Sequence, residues 1–185
     1  MCNAGAVPDE LPDFHIPHSE KIEWMIETNG WAIEAVPARP DLDPPFPGYA
    51  YTIGFEDTFG FPDVALFGLT PVASRGMFDL VASLLGGGTE IPLGVAVVGL
   101  LDNDLRCAFA PLDMARWGQL FTTAVSWQRR SRRPADGVSM VQLLWPDRDG
   151  WLPSEAGFDR RLRFAQPVIG SLASADDGAG ATGAD

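Results

Sequence analysis

A chain of 185 residues, 46% of them hydrophobic and 21% charged, is long enough to bury a core without disulfide or metal support and fits a single domain. Its formal net charge of −12 argues against nucleic acid and anionic membranes as bulk partners, because phosphate backbones are held by clustered Lys and Arg. The longest apolar run, Leu93–Leu101, is far short of the roughly 20 residues of a membrane helix.

Residues 1–17 carry Pro8, Pro12 and Pro17 and read as an extended arm, since each proline removes a backbone donor and restricts the residue before it. This segment has neither the basic region nor the apolar core of a signal peptide. With two cysteines, Cys2 and Cys107, read as free thiols in a reducing compartment, it points to the cytoplasm. Arginine outnumbers lysine twelve to one, which suggests a GC-rich bacterial genome. The spacing predicts a helix over about Glu20–Asn29, capped by Ser19 and stopped at Gly30. Trp31–Val36 alternates as a strand. Pro37–Gly48 holds five prolines and reads as a long irregular loop, of the kind that is often functional.

Tyr49–Phe55 and Val64–Leu69 are aromatic and β-branched, hence strands. Glu56–Pro62 between them reads as a turn segment, short enough to demand antiparallel pairing. A helix follows over about Val72–Leu85. Val95–Leu101, continuously apolar, predicts a strand buried on both faces, and Leu105–Ala110 alternates as its neighbour across the Asp102-Asn103-Asp104 turn. Asp113 should cap one helix over about Met114–Arg129, and Val138–Trp145 should be the last strand. Residues 171–185 are small, polar and acidic and read as a disordered tail. The fold class expected is therefore α+β over 18–170: a mixed or mainly antiparallel sheet of about five to seven strands, with about three helices on one face.

Phosphate-binding and nucleophile-elbow motifs are absent from the sequence. His15 and His18, even with Glu20, fall short of a zinc ligand set, so no metal and no cofactor are expected. Six residues after Cys107 stands Asp113 where a thiol phosphatase would need arginine, so Cys107 reads as a small core residue. Arg129, Arg130, Arg132 and Arg133 form the main basic run. It complements the end of a helix and is also a candidate interaction surface, to which Arg160, Arg161 and Arg163 could add. The carboxylates Glu56, Asp57, Asp63, Asp147, Asp149 and Glu155 read as solvated turn residues.

Three segments carry a resemblance. Gly30-Trp31-Ala32 precedes a strand; AYTIGF (Ala50–Phe55) is followed by GFPDVALFGL (Gly60–Leu69); and QLLWPDRDGWLPSE (Gln142–Glu155) is followed by Gln166-Pro167. Together they resemble a bacterial family catalogued as domain of unknown function 4262, over about residues 20–168. In the form associated with that family, the turn between the paired strands reads Gly-His-Pro-Glu; here it reads Gly60-Phe61-Pro62-Asp63. The resemblance implies a shared fold but brings no activity or catalytic residue, and any role of the histidine is lost at Phe61.

Two main functional readings follow, with nucleic-acid contact through the arginine run as a weaker third. The first is a non-catalytic binding or interaction domain, regulatory or immunity-like, with an unidentified protein or small-molecule partner. Its recognition surface would be the proline-rich loop and the Trp145–Glu155 segment. The rival is an enzyme or small-molecule receptor with a pocket between the Tyr49–Phe55 and Val138–Trp145 strands, lined by Tyr51, Thr52, Glu56, Gln142, Trp145 and Asp147.

Overall fold

The computed structural model describes residues 17–130 and 139–173. The arm before Pro17, the tail beyond Ala173, and with them His15, Cys2, Arg132 and Arg133 lie outside the described residues. In chain order the elements are α1 (His18–Asn29), β1 (Ala32–Val36), β2 (Tyr49–Ile53), α2 (Phe55–Phe59), β3 (Asp63–Phe67), α3 (Pro71–Gly86), β4 (Ala96–Val98), β5 (Arg106–Pro111), α4 (Met114–Trp117), α5 (Thr122–Arg130) and β6 (Met140–Leu144). The strands form one six-stranded mixed sheet in the order β1-β2-β3-β6-β5-β4. Only the β3–β6 pair is parallel.

The fold is α+β, but its helices lie on both faces rather than one. Strand alternation sends Ala50, Val64, Leu66, Phe109, Val141 and Leu143 to the first face, where they pack under Phe78 and Val81 of α3. It sends Tyr49, Tyr51, Ile53, Ala65 and Phe67 to the second, under Ile22 of α1 and Phe121 and Ala124 of α5. The β5–β6 half of that second face is covered by the C-terminal segment, through Leu152 and Leu172 against Ala108, Ala110 and Leu144. Strands buried on both sides explain the near-continuous apolar runs of β2, β3 and β6.

The β2–β3 pair is antiparallel, with Tyr49 opposite Phe67 and Tyr51 opposite Ala65. Its connection is a helix, not an open turn. Phe55 and Phe59 lie one turn apart with ring centroids at 5.2 Å, Phe55 is fully buried, and Gly54 and Gly60, with φ of 99° and 68°, close the two ends. Thr70 caps α3 through Ala73 N–H. At α1 the N-cap is Pro17 and no side chain caps the helix, so Ser19 does not serve as predicted.

Two further expectations are corrected. The apolar run Val95–Leu101 is not a doubly buried strand: β4 is three residues at the sheet edge, with Val95 and Val98 exposed. Only Val97, Leu100 and Leu101 turn inward to the first-face core. The helix expected over Met114–Arg129 is interrupted at Gly118–Leu120 by a 3-10 turn. The interruption frees the Leu120 carbonyl to accept the Tyr49 hydroxyl at 2.7 Å. It also drives Phe121 into the core, edge-on to Tyr49 and Tyr51. Asp113 does cap the first piece, through Ala115 and Arg116 N–H. Among the described residues no helix is long and apolar enough to cross a membrane.

Candidate binding groove

The six residues read as one pocket are not assembled into one. β3 lies between β2 and β6, and Ala65 pairs with both Tyr51 and Gln142, so those two side chains flank a filled position. Gln142 instead clamps the C-terminal segment: its Nε2 donates to Pro167 O at 2.6 Å, and its Oε1 accepts Ile169 and Gly170 N–H at 2.8 and 3.0 Å. A polar side chain buried in an apolar strand needs such partners, and Gln142 finds all three in the C-terminal segment. The Trp145 indole donates to Phe67 O at 2.9 Å, while its backbone is bonded in both directions by Gln166.

Asp147 organises a turn. It accepts the N–H groups of Asp149, Trp151 and Asp159. Burial opposes its charge, but these three donors together hold its pKa below the ordinary value. Nearby, Arg106 forks onto Glu155 at 2.9 and 2.8 Å. Burial works against the Glu155 carboxylate too, yet Arg106 and Leu152 N–H outweigh it and lower its pKa.

Thr52 belongs to a different centre, built around Asp63. Asp63 is fully buried and accepts from the Thr52 hydroxyl at 3.0 Å, Phe55 N–H at 2.9 Å and Gln128 Nε2 at 2.9 Å. It thereby ties β2, β3, α2 and α5 together. No arginine or lysine among the described residues bridges to it. Burial pushes its pKa up to about 6, against the opposing pull of those donors. It reads as a solvated turn carboxylate in the sequence, and the structure seals it from solvent. Glu56, beside this centre, is half-buried and accepts from Ser139.

The proline-rich loop is anchored by the reciprocal bonds of Arg39 and Phe46 and by Phe46 packing edge-on to Tyr49 and Phe67. Phe46 of the loop and Trp145 both touch Phe67, Phe46 through its ring with the second-face core and Trp145 through the Phe67 carbonyl with the first-face core. Of the basic run, Arg129 is exposed at the end of α5, and Arg130 pairs with Glu23 of α1 at 3.1 Å. The family-turn position Phe61 is a core residue, 5.6 Å and edge-on from Phe109. Cys107 is buried, which raises its thiol pKa to about 11, as suits a core residue rather than a nucleophile.

What the sequence did not single out is the groove between α1 and α5. It has a volume of about 230 Å³ and is lined by His18, Ser19, Ile22 and Glu23 of α1 and by Thr122, Thr123, Ser126, Trp127 and Arg130 of α5. Glu23 of α1 pairs with Arg130 of α5 at 3.1 Å, and the N-terminal turns of both helices contribute to the lining of the groove.

Next to His18 lies Glu34. Alternation along β1 sends Ala32 to the second-face core under α1, and Glu34 shares its side. The Glu34 side chain is 18% exposed, and its Oε2 lies 3.5 Å from His18 Nε2. That oxygen is buried and takes no hydrogen bond from the described residues. Tyr51, opposite Glu34 in register, has its hydroxyl beside both Thr123 and the Glu34 carboxylate, and burial above all raises its pKa. Tyr49 is pushed up to about 12 by burial and by the Glu34 charge. The sequence places Glu34 on the side of the strand away from Trp31 and Ile33, and carries no signal that this side is covered.

A larger hollow of about 520 Å³ lies at Asp147, Arg148, Asp149, Asp159, Arg161 and Leu162. Two of its three carboxylates are already engaged, Asp147 by three backbone donors and Asp159 by Arg161 at 2.9 Å. Among the described residues no group of three His, Cys, Asp or Glu could hold a metal ion.

These features define a mixed-sheet α+β domain with both faces covered and a groove between two helices of the second face. The chain belongs to the family described as Domain of unknown function (DUF4262), whose model matches residues 25–159. His18–Glu23, the α1 wall of the groove, precede the matched range. Neither the curated proteins nor the solved structures contain a match.

Proposed function

We propose that this is a non-catalytic binding domain of the bacterial cytoplasm, with a regulatory or immunity-type role, that receives its ligand in the α1–α5 groove. The observation that carries the reading is Glu34 Oε2, a buried carboxylate oxygen under the groove without a hydrogen bond from the described residues. Buried polar atoms in folded proteins nearly always have partners, and the exceptions call for an explanation. Elsewhere the polar side chains are used to hold the fold: Gln142, Asp147 and Asp63 each make three hydrogen bonds within the chain.

The non-catalytic part rests on access. Asp63 and Cys107, the acid and the thiol whose pKa values burial raises most clearly, are both sealed from solvent, and a catalytic acid, base or nucleophile must reach its substrate. The cytoplasmic reading draws on Cys107, which forms no disulfide among the described residues.

The test is a thermal-shift screen of small amines, carboxylates, phosphates and neutral compounds, run on the native chain and on Ser126→Trp. Ser126 is an exposed helix position lining the groove, so an indole there fills the space at little cost to folding. The reading expects compounds that stabilise the native chain and lose that effect in Ser126→Trp. Stabilisation that persists in the filled variant, or no stabilising compound in any class, counts against it.

A further inference from the structure

Resting on the groove as the binding site, we infer that its ligand carries a cationic amine that donates to Glu34 Oε2, taking the place His18 now holds. The charge balance of the groove selects the class. Glu23 and Arg130 neutralise one another at 3.1 Å. Among the described residues His18 is the one ion-pair partner of Glu34, and the Tyr51 hydroxyl beside it brings no positive charge. The His18 contact of 3.5 Å lies beyond the 2.7–3.2 Å of ordinary N–H···O bonds, about 0.3 Å too long. A compact ammonium in the same place would form a charge-assisted bond, the stronger kind.

His18 is built to give way. It is the first residue of α1, its side chain is 63% exposed, and it is absent from the buried core, so swinging outward breaks no packing. The hydroxyls of Ser19, Thr122, Thr123 and Ser126 line the same space and offer acceptors to the remaining ammonium protons. Ile22 and Trp127 flank it and suit a short apolar body. A volume of about 230 Å³ restricts the ligand, or the part of it that enters, to a small group.

The opposing chemistry is an anion. Both helices begin at the groove, and helix N-termini attract negative charge. The buried Glu34 carboxylate decides against it, because an anion seated there would bring a second negative charge against a partly desolvated first.

The test is a titration of ¹⁵N-labelled full-length chain at pH 7.5 with n-butylammonium, n-butanol and n-butyrate. n-Butylammonium is expected to perturb His18, Ser19, Thr123 and Ser126 saturably and to bind at least tenfold more tightly than n-butanol. Glu34→Gln, nearly isosteric, should weaken n-butylammonium by tenfold or more and leave n-butanol unchanged. His18→Ala, at an exposed position that folding tolerates, should tighten n-butylammonium by removing its competitor. Preference for n-butyrate, indifference to Glu34→Gln, or weaker amine binding in His18→Ala would overturn the inference. Groove binding of n-butanol or n-butyrate alone would leave the binding-site reading standing without its cation. Absence of any groove perturbation by n-butylammonium would also defeat the inference, while the Ser126→Trp comparison judges the site itself.

Discussion

Replacing Asp63 by Asn should make the protein more stable at neutral pH and remove a pH dependence. Asp63 is buried and held by three donors but no cation. Its pKa stands at about 6 in the fold, against 3.8 as the ordinary value. A folded-state pKa raised above the unfolded one means that the native structure prefers the neutral acid. The associated stability is complete below pH ~4 and is lost as pH rises through ~6. A difference of about 2 pH units at 1.36 kcal/mol each corresponds to about 3 kcal/mol by pH 7. Asparagine keeps the acceptor for Thr52 and Phe55, and Gln128 can rotate its amide to present oxygen to the new NH₂. Urea unfolding of both proteins at pH 4, 5, 6, 7 and 8 isolates the effect, because the difference between them cancels every other titrating group. Asp63→Asn should gain steadily on the native chain up to about pH 7. With a slope near 2 kcal/mol per molar urea, the midpoint gap would reach roughly 1.5 M. Parallel profiles, or a native chain that gains on the variant as pH rises, would show that the three donors outweigh burial and would refute the reasoning.

Gln142→Leu should cost about 2–3 kcal/mol, because Ile169 and Gly170 N–H and Pro167 O lose their shared partner; urea unfolding measures the loss, and limited proteolysis should cut between residues 160 and 173. Phe61→His, which restores the residue of the family turn, should destabilise by about 1–3 kcal/mol through lost packing on Phe109. The loss should be larger at pH 5 than at pH 8, since burial lowers a histidine pKa and the charged form forfeits stability as pH falls; equal losses at the two pH values would place the imidazole in solvent. Gly68→Ala should cost about 2 kcal/mol or more in the same assay, because Gly68 has φ of +77° and a Cβ there would lie 2.6 Å from Ala165 O.

The sequence was most legible where one residue pattern had one structural solution. Tyr49–Ile53 and Asp63–Phe67 are β-rich segments too close for anything but antiparallel pairing, and they pair so. Legibility failed where the same pattern serves two environments. An uncharged run such as Leu93–Leu101 fits a central strand, yet it forms the sheet edge because only part of it turns inward. A helical stripe over Met114–Arg129 hid the interruption that Tyr49 fixes from 71 residues away. The candidate site failed for a related reason. Gln142 reads as a pocket residue in the sequence, but a polar side chain in an apolar strand does not by itself separate a clamp from a ligand contact. Glu34 stands on the side of β1 away from Trp31 and Ile33, and its burial depends on elements distant in sequence, α1 and α5, lying over that side.

The most direct measurement is a crystal structure with the most stabilising compound from the thermal-shift panel. The account predicts the compound between α1 and α5, against Ile22 and Ser126, with His18 displaced and a donor on Glu34 Oε2. A compound seated instead in the hollow beside Asp147, or against Phe46 or Trp145, would contradict it.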